Sequence, residues 1–219
     1  EVFIGTDTPA TNTNIVGPVN KSVLAQITSI TNANTDADGV AVPTSTTPFG
    51  QFTFTAATNT NTLNGLNKAT LSGVIFNVNA TNVIMDYTAF KFYNKNDSST
   101  KVSCTARNGT TGAALANAAS GSFLVDCRAL KASSVDTRLP SGASVTFVLE
   151  GNVTNSKVGT STSGLQASIQ NFSTLTATTY DSSSATASHI DWADEDTTST
   201  YFKWVEYGDT TVKSTSYKS

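Results

Sequence analysis

Short runs in which polar and apolar residues alternate one for one constrain this chain most. Gln51-Phe52-Thr53-Phe54-Thr55 places two aromatic rings on one side and three polar groups on the other. That is the pattern of a half-buried β-strand, whose side chains point alternately to its two faces. Ala89 to Tyr93 and Ser144 to Glu150 repeat it. Further strands are expected at Val23 to Ile30, Leu71 to Val78, Val83 to Asp86, Lys101 to Ala106, Ser122 to Cys127, Leu165 to Phe172, His189 to Ala193 and Tyr201 to Tyr207. Turn signals separate them: Asp38-Gly39, Asn64-Gly65, Asn108-Gly109, Pro140-Ser141-Gly142 and Gly208-Asp209.

No segment carries an apolar stripe at helical spacing longer than two turns, and composition explains why. Thr, Ser and Asn supply 83 of the 219 residues. These residues lose to Ala, Leu, Glu and Lys inside helices. The expectation is an all-β fold: an antiparallel β-sandwich of about a dozen strands with an N-terminal extended arm. The arm covers residues 1–16 and the single sandwich domain residues 17–219. In the arm, Val2-Phe3-Ile4 is a small apolar strand on a polar linker that contains Pro9. Such a strand docks in its own sheet or adds to the open edge of a neighbour's. The chain starts at Glu1 rather than Met, which leaves a removed leader or a longer precursor open.

The net charge is -3 and no basic cluster exists, so nucleic acid is not an expected partner. No apolar run has the length of a membrane span. Cys104 and Cys127 are the only cysteines, and no histidine lies nearby to complete a metal site. In a chain so poor in charge, a disulfide in an oxidising compartment is the reading. It joins neighbouring strands or crosses between sheets. Closing that loop stabilises by about 3.5 kcal/mol in the chain-entropy picture. Six Asn-x-Ser/Thr sequons, at Asn20, Asn79, Asn96, Asn108, Asn152 and Asn171, permit glycosylation.

The residues for catalysis are sparse. The sole histidine, His189, has no Gly-x-Ser-x-Gly elbow to serve. Glu150, Glu206 and several Asp show no paired spacing. Asn34, Asp36 and Asp38 followed by Gly39 resemble the first half of a calcium loop. Ser45 stands where the bidentate Glu belongs, and the plainer reading is an Asx-rich turn. Asp191, Asp194, Glu195 and Asp196 form a second acidic cluster, read by default as a solvated loop. Calcium is thus the one candidate cofactor. Trp192, Tyr201, Phe202, Trp204 and Tyr207 gather near the C-terminus. Trp192 and Trp204 are the candidate platform for stacking a glycan.

Three stretches carry a resemblance: Phe49 to Ala57, Gly142 to Asn155, and Ile190 to Asp194 with Phe202 to Tyr207. They resemble a domain of secreted surface proteins found in large cell-surface and pilus-like proteins of candidate-phyla bacteria. The likeness runs from about Val40 to the C-terminus. It implies an antiparallel sandwich, an extracellular location and a structural or adhesive role without a catalytic centre. The arm lies outside the match and is reminiscent of filament subunits that donate a strand. The expected function is therefore a non-enzymatic extracellular structural protein. It would be a subunit of a filament, tube or surface array, polymerising with itself through Val2, Phe3 and Ile4. The alternative is a carbohydrate-binding or adhesion module.

Overall fold

A computed structural model describes residues 26–34, 37–58, 68–128, 130–169, 190–194, 201–202 and 212–219. Among the described residues thirteen strands, joined by antiparallel ladders, form one continuous sheet. In chain order they are β1 (Ile27–Asn32), β2 (Thr46–Ala56), β3 (Lys68–Asn94), β4 (Asp97–Ser103), β5 (Thr105–Arg107) and β6 (Ala119–Arg128). Then follow β7 (Arg138–Pro140), β8 (Ser144–Asn155), β9 (Gly164–Ile169), β10 (Ile190–Asp194), β11 (Tyr201–Phe202), β12 (Val212–Lys213) and β13 (Tyr217–Lys218). The all-β antiparallel expectation holds, and no α-helix occurs among the described residues.

The sheet folds over on itself around β3, which is 27 residues long. The first half of β3 pairs with β6, β7, β9 and β10. Its second half pairs with β8 and β4, and β8 continues to β2 and β1. Two layers result, with β3 in both. They meet closely where β2 faces β9: a Cβ on Gly50 would lie 3.0 Å from the Ala167 Cβ.

The sequence reading places three separate strands within β3, at Leu71 to Val78, Val83 to Asp86 and Ala89 to Tyr93, and the apolar parity breaks three times along it. The structure keeps one strand and absorbs the breaks. Ala69 and Leu71 face the core, then Val74, Phe76, Val78 and Ala80, then Val83, Met85 and Tyr87, then Phe90 and Phe92. Each change of parity falls at an irregularity. One is the register shift opposite Asp191/Trp192, one lies between Ala80 and Met85, and one between Asp86 and Lys91. Asn82 sits inside the second with φ 52°, a left-handed conformation that Asn tolerates better than most residues. A bulge adds one residue on one strand, so every side chain beyond it changes face. The same device serves β2, where a shift between Pro48 and Gly50 lets Phe49 point inward as well as Phe52 and Phe54.

Phenylalanine fills the core. Phe52, Phe76, Phe92, Phe147 and Phe54 form a chain of ring contacts with centroids 5.3 to 6.2 Å apart. Phe49, Phe90, Phe123 and Tyr87 form a second. Burying such rings is the main driving force available to a chain this polar. Gly151 makes room for them: a Cβ there would stand 2.7 Å from Phe90 Cε1 and 2.9 Å from Phe49 Cε1.

Candidate functional site

Residues 1–25 lie outside the described residues, so the arm and its Val2, Phe3 and Ile4 do too. The edge strands such an arm could meet are described. β1 and β11 end the main path of the sheet. Among the described residues, β1 ladders only with β2, and β4 only with β3. The two edges differ in chemistry. β4 is exposed and carries Asp97 and Lys101, charges of the kind that discourage a further strand. β1 reads Ile-Thr-Ser-Ile-Thr-Asn and carries no charge. Its Ile27 and Ile30 are fully buried, and a register shift between Ile27 and Ser29 brings both inward despite their odd spacing.

Beside the end of β1, where Asn32 Nδ2 donates to Thr215 Oγ1 at 2.9 Å, the edge of β9 is closed by the chain itself. β12 and β13 both pair with β9, and Ser163 and Ser219 exchange backbone hydrogen bonds of 2.8 and 3.1 Å. On its other side this segment meets the loop after Asp38, through Lys218 N–H to the Val40 carbonyl at 3.1 Å.

Cys104 and Cys127 form a disulfide, their Cα atoms 4.6 Å apart. Cys104 precedes β5 by one residue, and Thr105 pairs with Asp126, so the bridge joins neighbouring strands. Both sulfurs are buried in the core.

The structure places one residue of each of two candidate sites differently from the expectation. Asn34 is not placed as a calcium ligand. It is fully buried, its Nδ2 donates to the Phe49 carbonyl at 3.0 Å, and its Oδ1 accepts from Gln51 Nε2 at 3.3 Å. That amide ties the loop to β2. Asp38 is exposed in the turn that Gly39 completes with φ 70°, and Asp36 lies outside the described residues. Trp192 is not half of a glycan platform. It is fully buried on β10, opposite Leu71, as the largest enclosed side chain among the described residues. Trp204 and His189 lie outside the described residues. Asp191 also departs from the solvated-loop reading, being only 3% exposed.

Asp191 belongs to a feature the sequence reading missed. On the outer face of β6, Asp126 is 6% exposed and lies between two guanidinium groups. Arg107 Nε reaches its Oδ2 at 2.8 Å and Arg128 Nε its Oδ1 at 2.9 Å. Gly73 of β3 separates Arg128 from Asp191; a Cβ there would lie 3.4 Å from Arg128 Cγ and 3.5 Å from Asp191 Oδ2. Two acids and two bases thus share one face, where each carboxylate needs a cation to leave water. The available signal was Asp126 and Arg128 two apart in a strand, which puts both on one face.

Elsewhere the shifted groups lie on β3 and just before β7. The Thr88 backbone N–H and hydroxyl on Asp86, at 2.9 and 2.7 Å, hold that carboxyl below its ordinary range. Hydrogen bonds from Arg138 do the same for Asp136. Burial pushes the Tyr93 phenol up, and the neighbouring Glu150 adds to it. Among the described residues no three His, Cys, Asp or Glu side chains group as a metal site. Among them, too, no helix is long and apolar enough to cross a membrane.

No family model matches the chain, and no curated protein matches it. Among solved structures, one described as "AvmM Catalyzes Macrocyclization in Alchivemycin A Biosynthesis" is 12% identical. That match covers 91% of this chain and 87% of that one, with a TM-score of 0.27. A score that low carries neither fold nor activity over to this protein.

Proposed function

We propose that this protein is a non-enzymatic extracellular structural subunit of a filament, tube or surface array, assembled by strand donation between copies. The observation that carries the reading is the pair of sheet rims. The edge of β9 is sealed by residues 212–218 of the same chain, and the uncharged strand β1, which that segment meets through Asn32, ladders on one side only among the described residues. An extended apolar segment gains backbone hydrogen bonds on such an edge, with alternate side chains entering the layer. Val2-Phe3-Ile4 is the donor, and its polar linker gives it reach. The buried disulfide supports an oxidising compartment.

Negative-stain electron microscopy of the native protein tests this directly. Regular polymers are expected, and deletion of Glu1–Thr11 disperses them into single particles. Polymers that persist after the deletion overturn strand donation. A native protein that never polymerises overturns the structural reading. The alternative, a carbohydrate-binding or adhesion module, loses Trp192 as its anchor.

A further inference from the structure

On the outer face of the first layer, three neighbouring strands line up six side chains in two rows. Asn77 of β3 stands between Leu124 of β6 and Ser168 of β9; Asn79 stands between Ser122 and Gln166. The turn after β5, at Gly109, forms a wall, and the half-open space between these residues is about 250 Å³. Asn108 braces that wall by accepting the backbone N–H groups of Thr110 and Thr111 at 2.8 and 3.0 Å.

The chemistry of the lining is narrow. Leu124 gives an apolar floor, 6% exposed. Asn77 Nδ2 is shielded from solvent and has no hydrogen-bond partner, although a buried donor normally has one. Gln166 Nε2 is committed to the Ser214 carbonyl at 2.8 Å, which leaves Oε1 as the acceptor of a fixed amide. Asn79 Oδ1 accepts the Thr81 hydroxyl at 3.1 Å, which leaves its Nδ2 as a donor. Ser122 adds a hydroxyl at the rim. No charged side chain lines the space; Lys213, exposed on β12, stands beside it as the cross-strand partner of Ser168, and Asp126 and Arg107 pair with each other one row away.

From this we infer that the cavity binds one neutral sugar residue. Fixed amide donors and an acceptor match the hydroxyls of a pyranose, and Leu124 meets its C–H face. A metal ion finds no carboxylate in the lining. At 250 Å³ the space falls just below the usual range of roughly 300–1,000 Å³ for small-molecule pockets, which fits one ring and not a chain. The inference is independent of strand donation.

Titration with methyl glycosides of glucose, galactose, mannose and N-acetylglucosamine, followed by nitrogen-15 NMR of the side-chain amides, tests it. At least one glycoside is expected to shift the Asn77, Asn79 and Gln166 amides saturably, with a Kd on the order of millimolar for so few contacts. Asn77→Ala weakens that binding roughly 5- to 10-fold through loss of one buried hydrogen bond. Ser122→Trp, at an exposed position that leaves the fold intact, closes the mouth and abolishes it. Amides that stay unmoved by every glycoside, or shifts that persist in Ser122→Trp, overturn the inference; in the first case the cavity holds water alone.

Discussion

The two outward faces of this sheet solve the same problem with opposite means. Over β2 and β8, hydroxyls pair across strands: Thr53 with Thr146 and Thr55 with Ser144, each at 2.8 Å. The charges there stay near water. Lys101 meets Glu150 at 2.7 Å and lies 4.6 Å from the centre of the Tyr93 ring. Where β5, β6, β3 and β10 meet, beside the neutral amides of the cavity, the buried polar groups are instead the ions Arg107, Asp126, Arg128 and Asp191, and both acids are almost wholly buried. Neutral hydroxyls satisfy one another cheaply at half-exposed positions, each pair contributing about 0.2–1 kcal/mol. Buried ions cost several kcal/mol each in desolvation, and only close opposite charge offsets that. The first face tolerates change; the second does not.

Asp126→Ala tests the contrast most severely. It removes the carboxylate that both guanidiniums contact and is expected to destabilise by about 3–5 kcal/mol in urea unfolding. A loss under about 1 kcal/mol would mean that the ions are solvated and that the two faces do not differ. Trp192→Ala, one residue from Asp191 but on the inner side of β10, is expected to cost about 3–5 kcal/mol through the cavity it leaves. Its unfolding midpoint should fall in the absence of any glycan, as befits a core residue. Thr53→Val with Thr146→Val removes both partners of one hydroxyl pair and is expected to change stability by less than about 1 kcal/mol. A larger loss would make the hydroxyl face as demanding as the ionic one.

The smallest effect is one of pH. Asp86 and Asp136 have carboxyls held below their ordinary range by hydrogen bonds from Thr88 and Arg138. A lowered folded value means that their stabilisation is complete above the ordinary carboxylate pKa, about 3.9. It disappears as pH falls through the lower folded value. Thermal unfolding between pH 5 and 2 should therefore show a shallow decline that Asp136→Asn reduces only slightly, because that pair is half exposed.

Much of this was legible. The alternation in Gln51 to Thr55 fixes which residues of β2 face the core, because period two admits no other geometry. The two cysteines announced their bond. The misread residues share one trait: their type carries no information about burial. Asn34 looks the same in a calcium loop as when it pins that loop to Phe49. Trp192 looks the same on a platform as under one. The candidate cavity left a faint trace, since Asn77 and Asn79, like Gln166 and Ser168, sit two apart, but only adjacent strands turn those pairs into a lining.

By itself, then, the sequence determined an all-β chain, the polar or apolar character of each strand face, and a covalent tie between Cys104 and Cys127. Those follow from local stereochemistry and composition. Tertiary structure alone decided that three apparent strands are one, that Phe49 and Phe52 both face inward, and that Asp126 meets two arginines. The physical reason is that a bulge or a buried ion pair is stable only against its partner strand. That partner lies tens of residues away, and no local pattern encodes the register in which it arrives.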